Sequence, residues 1–341
     1  MTDALTPRQM IKALLRGVAP PRPLLMPIIF SLGARMENLP LRSFQGNPTK
    51  IANALRQIRS VLRVDGLTCY YDPFLEAEAL GCRREWQDDG SSSITCPSFS
   101  SADDLRGKMS SPESLSSRGH IPVACEVLRR LKVMLKDEPA LMVRVNGPLR
   151  LAAQLLGDKA VPQEPLPRDF VELTAEVTAS VSKTFLEAGA DVILLTEGLL
   201  PEMSTETCAW YAALLSPIAN VVRFYEALPV LFLAGASVSE KILSQLLEHA
   251  QDCILCWTPP VAEPADDLLS HFREGYAGRA LPAETFRVEQ AGSPDVFGNL
   301  ASDCRIAFIT SPGDLTETDP KQLARALNAI REYLRPRAQA G

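Results

Sequence analysis

The chain has 341 residues, of which 46% are hydrophobic and 22% are charged, and this length is sufficient to bury a large core. It exceeds the length of most single domains, so one large α/β domain is the first expectation. The net charge of -6 comes without a long run of lysine and arginine, which argues against nucleic acid as a partner.

Strands and helices alternate along the predicted chain. Short apolar runs of β type recur between longer segments that have a helical spacing of apolar residues. Seven such runs predict strands at residues 24–30, 66–71, 140–145, 191–195, 229–233, 253–257 and 305–310. An eighth strand is expected at residues 282–289, where alternation is present without a strong apolar core. The predicted helices span residues 48–62, 120–136, 168–188, 204–226, 237–249, 294–304 and 319–334.

This alternation predicts parallel βαβ units, and about eight of them favour closure into a (β/α)8 TIM barrel. Residues 82–97 carry D-D-G-S-S-S between two short β-type runs, which predicts a β-hairpin inserted after the second strand. Residues 98–119, rich in Ser, Asp and Pro, predict a surface loop or a partly mobile lid. We therefore expect one α/β domain over residues 1–341, with an insertion at 82–119 and a tail at 335–341.

The chain carries no signal for a membrane or for export. No apolar run reaches about 18 residues, the length that a membrane-spanning helix needs. The first residues lack the basic segment and the following apolar segment of a signal peptide. A soluble, cytoplasmic protein without membrane contact is the expectation.

The eight cysteines are scattered through a large acidic chain, which is typical of reduced core thiols rather than of a disulfide framework. Cys253 and Cys256 form the only C-x-x-C motif. In a strand, side chains three positions apart point to opposite faces, so both sulfurs cannot easily bind one metal ion. We expect these two thiols to pack in the core.

In a barrel of this kind, reactive groups lie where the strands end and the following loops begin. An acid in a partly apolar pocket can have a raised pKa and can transfer a proton, and an arginine can hold a carboxylate with two hydrogen bonds. The candidate residues at these positions are the acids Asp72, Glu197 and Asp314, the cation Arg35, and the polar residues Tyr71, Asn146 and Gln154.

Two motifs resemble the uroporphyrinogen decarboxylase superfamily. The run D-P-F-L-E-A-E-A-L-G-C begins at Asp72, and P-I-I-F-S-L-G-A-R closes at Arg35. The resemblance implies a TIM barrel with a tetrapyrrole pocket and no cofactor. It also implies that Asp72 hydrogen-bonds pyrrole-type N–H groups and stabilises a protonated intermediate, while Arg35 anchors a substrate carboxylate. The resemblance makes these two the catalytic residues, and a homodimer agrees with the family's habit of pairing barrels.

The chain departs from the decarboxylases of this superfamily. They carry a tyrosine where this chain has Gln154, a histidine where it has Asp314, and a second arginine where Phe30 or Ser31 stands. A lyase acting on a carboxylated tetrapyrrole is the first hypothesis, and a non-catalytic barrel that binds a tetrapyrrole or a corrinoid protein is one alternative.

The other branch of the superfamily gives a third hypothesis. It contains corrinoid-linked methyltransferases, which bind zinc through H-x-C after the fifth strand and a cysteine after the last strand. This chain has Phe232, Ala234 and Asp314 at those positions, so we predict no metal site. In this hypothesis the chain is a methyltransferase-like protein that has lost the zinc ligands and has a corrinoid protein as its partner.

Overall fold

A computed structural model describes residues 5–96, 99, 101–108, 111–136, 138–157, 166–198, 200, 203–234, 238–258, 275–287 and 305–334. Within these residues the strands are β1 (Leu24–Leu25), β2 (Gly66–Tyr70), β3 (Arg83–Trp86), β4 (Ser92–Thr95), β5 (Ala140–Asn146), β6 (Val192–Glu197), β7 (Leu228–Leu233), β8 (Ile254–Trp257), β9 (Ala277–Ala280) and β10 (Ile306–Thr310). Eight of them form one parallel sheet in the order β1-β10-β9-β8-β7-β6-β5-β2. The strands curl into a nearly closed barrel, which confirms the predicted TIM-barrel fold.

The seam of the barrel lies between the two edge strands, β1 and β2. The Asp65 backbone N–H, just before β2, donates to the Leu25 carbonyl oxygen over 3.1 Å. The Asp65 carboxylate accepts a hydrogen bond from the Leu25 N–H and two from the Arg22 guanidinium. This one residue therefore supplies the hydrogen bonds that hold the two edges together.

The described helices surround the sheet. They are α1 (Pro7–Leu15), α2 (Ser31–Met36), α3 (Leu41–Gln45), α4 (Pro48–Leu62), α5 (Leu75–Ala79), α6 (Ala102–Lys108), α7 (Ile121–Leu135), α8 (Pro148–Leu156), α9 (Arg168–Ala188), α10 (Thr205–Phe224), α11 (Glu240–His249) and α12 (Pro320–Tyr333). The helices predicted at 48–62 and 168–188 match α4 and α9 residue for residue. The helix predicted at 294–304 lies outside the described residues, as does the tail predicted at 335–341.

Two sequence-based assignments are wrong. The eighth strand is β9, and the segment predicted for it at 282–289 begins instead as a short 3-10 helix, Ala283–Phe286. The expected surface loop at 98–119 contains α6 and a second 3-10 helix, Pro112–Ser117. The first strand is also shorter than predicted, because Pro27 lacks an N–H and the next N–H, that of Ile28, donates to the Ser311 hydroxyl group instead of a backbone carbonyl.

The region predicted to form a hairpin contains β3 and β4, which follow β2 and precede β5 in the sequence. These two strands pair antiparallel with each other. Asp88, Asp89 and Gly90 connect these two strands, and Gly90 has a φ of 82°, a left-handed conformation that suits glycine. Alternate residues of the two strands are exposed, so only one face of this pair packs against the barrel.

The hydrophobic core has two layers. One layer fills the barrel interior and includes Met142, Leu194 and Phe308, and α1 contributes Met10 and Ile11 to the same cluster. The other layer, which is larger, lies between the strands and the surrounding helices. Because apolar side chains pack inside the barrel, we expect polar chemistry at the carboxyl ends of the strands.

The cysteines correct one expectation and confirm another. Cys82 and Cys96 form a disulfide, so the prediction that all the cysteines are reduced is wrong for this pair. Cys253 and Cys256 are buried, free thiols in different hydrophobic clusters, which confirms the packing role predicted for them.

Among the described residues, no helix combines the length and the apolar character needed to cross a lipid bilayer.

Candidate active site at the carboxyl ends of the barrel strands

Asp72 follows β2 and is almost fully buried, with 1% of its surface exposed. Its two carboxylate oxygens accept hydrogen bonds from Nη2 of Arg84 over 2.5 and 2.6 Å, and Oδ1 also accepts one from the Phe74 N–H. The sequence-based expectation paired Asp72 with Arg35. The structure gives this carboxylate a different partner, because the β3–β4 hairpin folds back over the barrel mouth and inserts Arg84.

The Arg84 guanidinium is enclosed on all sides. It lies over the rings of Phe74 and Trp86, with centroid distances of 5.5 and 5.4 Å, and it also donates to the Gln45 side-chain oxygen over 3.0 Å. Its Nη2 lies 3.5 Å from a carboxylate oxygen of Glu78. Aromatic and carboxylate partners together compensate the cost of burying this cation.

Arg35 and Asp314 lie where the first and last barrel loops meet. Arg35 is exposed in the last turn of α2 and donates to the carbonyl oxygen of Thr316. Asp314 accepts hydrogen bonds from the N–H groups of Phe30 and Ser31, at the beginning of α2. Burial raises the pKa of Asp314. These contacts join the loop after β10 to α2. They give the Asp314 carboxylate a structural role that does not require a substrate.

A second polar cluster is centred on Asn146, the last residue of β5. The Asn146 side-chain amide donates to Oε2 of Glu76 over 2.6 Å and to the Pro73 carbonyl over 3.0 Å. The Gln154 side chain donates to the same carbonyl over 3.0 Å. Glu76 is fully buried in α5, and burial raises its pKa. Sequence reasoning missed Glu76, since it lies within a helix and not at a strand end.

Two further arginines, both missed by the sequence analysis, lie at the barrel mouth. Arg144 is buried in β5 and donates to the Asp72 carbonyl and to the Asn146 side chain. Its guanidinium lies over the Tyr71 ring at 5.5 Å. Arg144 pairs in register with Leu194 of the inner core, so its side chain faces the barrel interior.

Arg150, in the first turn of α8, has no hydrogen bond from its guanidinium to any residue in the described part of the chain. Burial, together with the positive charge of Arg144, lowers the pKa of Arg150 to about 10. Tyr71, Glu197 and Glu76 act in the opposite direction. The barrel mouth therefore holds a largely buried cation whose guanidinium donates no hydrogen bond to the described residues.

Glu197 ends β6 and fixes the beginning of α8. Its carboxylate accepts hydrogen bonds from the Arg150 N–H over 2.7 Å, from the Leu149 N–H over 3.2 Å and from the Tyr211 hydroxyl group. Burial raises the pKa of Glu197 to about 7, although all three donors lower it. A Cβ at Gly147 would lie 2.1 Å from Oε1 of Glu197, so glycine is required at this position.

One cluster has the spacing of a metal site. Carboxylate oxygens of Asp72 and Glu78 and a ring nitrogen of His120 lie within 4.8 Å of one another. The Arg84 guanidinium already contacts both carboxylates, and His120 Nδ1 lies 3.2 Å from Glu78. The guanidinium therefore supplies the positive charge that a metal ion would bring.

The sequence predicts that Phe232, Ala234 and Asp314 stand where the methyltransferase branch has its zinc ligands. Phe232 packs in the inner core, and Ala234 has no ligand atom. The third position is Asp314, whose oxygens accept the hydrogen bonds at the beginning of α2.

Comparisons with known proteins identify the family. The sequence profile of the family described as Uroporphyrinogen decarboxylase (URO-D) matches residues 6–263. The chain belongs to the URO-D family. Within this family, a similar curated protein is the methylated-thiol–coenzyme M methyltransferase of Methanosarcina mazei, which is 20% identical over 198 residues. That match covers 56% of this chain and 52% of the relative, so it spans about half of the relative's length.

A solved structure shows the same fold over almost the whole length. The structure described as a methyltransferase from Methanosarcina mazei has a TM-score of 0.76 and 18% identity, and the match covers 96% of this chain and 99% of that one. At this level of identity, the similarity establishes the barrel of this URO-D family member and leaves its substrate to be argued from the site.

Proposed function

We propose that this URO-D family member is an enzyme of lyase type that binds a carboxylate-bearing small molecule at its barrel mouth. The observation that carries the proposal is Arg150, a largely buried guanidinium with no hydrogen-bond partner among the described residues. Burying a charge without a partner is costly, so a group of this kind is typical of a site that an anion completes. A carboxylate fits the planar fork of an arginine with two parallel hydrogen bonds.

Arg144 and Arg150 together suit the chemistry of decarboxylation. When the bond between a substrate carbon and its carboxyl group breaks, CO2 leaves and the electron pair stays on that carbon until it accepts a proton. Arg144 and Arg150 would stabilise this negative charge, and they would do so strongly because little water reaches them. Tyr71 and Gln154 are partly exposed beside them and are proposed to contact the substrate.

The proposal assigns Asp72 and Asn146 mainly to positioning. The Asp72 carboxylate holds Arg84, and the Asn146 side chain links Arg144 to Glu76. Glu197 holds the first turn of α8, from which Arg150 extends. Arg35, exposed at the rim, is proposed to meet the outer part of a large substrate. A carboxylated tetrapyrrole, which the family resemblance suggests, has the several carboxylates that these arginines could bind.

A second candidate function is methyl transfer. It is favoured by the similarity to the coenzyme M methyltransferase and to the solved methyltransferase structure. In this case the cations would lower the pKa of a thiol acceptor bound beside them, and a corrinoid protein would be the partner that carries the methyl group.

Binding of uroporphyrin, the oxidised and unreactive form of uroporphyrinogen, tests the anion site directly by isothermal titration calorimetry. We expect Arg150→Gln to weaken binding about 10- to 100-fold, the range for losing a charged hydrogen bond. Arg129→Gln is the matched control, because Arg129 is 61% exposed on α7. Equal affinity in the wild type and in both variants would remove Arg150 from the site.

Turnover assays separate the two reactions. Anaerobic incubation with uroporphyrinogen, followed by mass spectrometry, should show products that have each lost one or more CO2 groups if the lyase assignment is correct. Incubation with methylcobalamin and a small thiol tests methyl transfer through the absorbance change of the cobalamin. Methyl transfer without loss of CO2 would replace the lyase proposal with the second candidate.

A further inference from the structure

The Cys82–Cys96 disulfide closes the base of the β3–β4 hairpin. Arg83 pairs with Thr95 in the antiparallel register, so Cys82 and Cys96 occupy the next position of the same ladder. The Cys82 N–H donates to the Ala77 carbonyl of α5 over 3.0 Å, which attaches this end of the hairpin to the barrel. The disulfide therefore ties the returning strand β4 to a fixed point on the body of the protein.

This cross-link lies two residues from Arg84, the group that neutralises Asp72. A two-stranded antiparallel pair is marginally stable by itself, and alternate residues of β3 and β4 are exposed. The hairpin is held to the barrel by the disulfide, by the Arg84 contacts and by packing of Ile94 on the core. Loss of the disulfide would remove the covalent cross-link that holds β4 beside the beginning of β3, the strand that carries Arg84.

The other cysteines differ from this pair. The described cysteines outside this disulfide are all buried: Cys69, Cys125, Cys208, Cys253 and Cys256. Burial raises the pKa of Cys125 to about 11 and that of Cys253 to about 12, so neither forms a reactive thiolate at neutral pH. Cys96, in contrast, is partly exposed. Within the described part of the chain, an external thiol can most readily reach the hairpin disulfide.

We propose that Cys82 and Cys96 form a reversible thiol–disulfide modification site that controls how firmly Arg84 is held on Asp72. A thiolate of an external dithiol attacks the Cys96 sulfur, the S–S bond breaks, and Cys82 leaves as a thiolate that takes up a proton. The second thiol of the reductant then displaces Cys96, so the reductant becomes a disulfide and both cysteines become thiols. Two electrons move from the dithiol to the protein.

Reduction loosens β3 and β4 and with them the Arg84–Asp72 contact. The carboxylate of Asp72 then becomes available at the barrel mouth, where it changes the charge that a substrate meets. The inference rests on the proposed function only in placing Asp72 beside the substrate site, and the experiment below measures the hairpin itself.

Hydrogen–deuterium exchange of the full chain, with and without dithiothreitol, tests the coupling. In the reduced protein we expect amide exchange across β3 and β4 and at the Phe74 N–H to accelerate about tenfold or more, with exchange in β6 and β7 unchanged. Alkylation under native conditions should label Cys82 and Cys96 only after dithiothreitol treatment. The double variant Cys82→Ser/Cys96→Ser should exchange like the reduced protein, and Cys125→Ser should behave like the wild type.

Two outcomes overturn the inference. One is a disulfide that dithiothreitol reduces only in denaturant, which would make it a permanent structural cross-link. The other is a reduced protein whose hairpin exchanges as slowly as the oxidised one. The uroporphyrin titration with Arg150→Gln is independent of both results, so a failure of the anion site and a failure of the redox site are told apart.

Discussion

At the scale of single residues, Glu197 is the group in which burial and hydrogen bonding oppose each other most clearly. Its folded pKa of about 7 lies above the ordinary value of 4.5, so the folded state binds this proton more tightly than the unfolded state does. The stability that Glu197 contributes is therefore complete below pH 4.5 and is lost as the pH rises to about 7.

We expect the free energy of unfolding of the wild type to decrease, relative to that of Glu197→Gln, between about pH 4.5 and pH 7. The full difference is at most about 3.5 kcal/mol, because one pKa unit corresponds to about 1.4 kcal/mol. Urea denaturation at several pH values measures it. Glu248→Gln, at an exposed position of α11, is the control and should follow the wild type. A constant difference between wild type and Glu197→Gln across this range would contradict the raised pKa.

Gly147 has no side chain, and this leaves room for the Glu197 carboxylate at the beginning of α8. Gly147→Ala would place a methyl group 2.1 Å from Oε1 of Glu197, so the carboxylate must leave the beginning of α8. We expect a loss of about 2–4 kcal/mol in the free energy of unfolding, the range for overpacking combined with a broken buried hydrogen-bond network.

Gly107→Ala is the matched control for this substitution. Gly107 is exposed within α6 and has open space around its Cα, so alanine there should stabilise the protein by about 0.5–1 kcal/mol. Thermal unfolding of both variants gives the comparison, and a neutral Gly147→Ala would mean that Glu197 can move away freely.

Single residues also show where sequence reasoning reaches its limit. Asp72 can be found from the sequence, since it directly follows an apolar strand. Its partner Arg84 cannot, because the contact depends on how the hairpin folds over the barrel. Arg144 did leave a signal, namely a charge inside the apolar run A-L-M-V-R-V, on the same face of the strand as Met142. An inward-facing charge in a barrel strand requires a polar site around it.

At the scale of secondary-structure elements, the sequence predicts a strand correctly where the whole strand is buried and its residues are therefore apolar. The parallel strands β5, β6 and β7 are continuously buried, and their apolar runs mark them clearly. The strand β9 has the sequence A-G-R-A, whose small residues give no apolar signal. Gly278 in this strand lies against Cys256, and a Cβ there would be 2.8 Å from that side chain. Close packing against β8 therefore requires a small residue in β9, and small residues do not form the apolar run from which a strand is predicted.

The hairpin offers an internal comparison between its two faces. Arg84 is 5% exposed and paired with Asp72, whereas its neighbour Arg83 is 77% exposed and forms an ion pair with Glu85. We expect Arg84→Met to lower the free energy of unfolding by about 3–5 kcal/mol, because it leaves a buried carboxylate without its cation. Arg83→Met should change it by less than about 1 kcal/mol. Urea denaturation measures both, and similar losses in the two variants would show that the buried pair is not the anchor of the hairpin.

At the scale of the whole molecule, the barrel depends on joining its first two strands, which are the edges of the sheet. A closed barrel leaves no unpaired strand edge, and here the closure depends on Asp65, which is 6% exposed. Its carboxylate binds the Arg22 guanidinium over 2.6 and 2.8 Å and the Leu25 N–H over 2.8 Å. These contacts span the seam between β1 and β2, whereas the other neighbouring strands are paired in parallel through their backbones.

Asp65→Ala should therefore open the seam without disturbing the opposite side of the barrel. We expect a loss of about 3 kcal/mol in the free energy of unfolding, because a buried N–H and a bidentate arginine lose their acceptor together. Hydrogen–deuterium exchange should accelerate in β1 and β2 and stay unchanged in β6 and β7. Glu187→Ala, which removes exposed contacts to Lys183 at 3.9 Å and to the Tyr225 hydroxyl group at 3.1 Å, is the control and should cost less than about 1 kcal/mol. Uniform acceleration in all the strands would mean that the barrel opens as one cooperative unit and that the seam is no weaker than its other strand pairs.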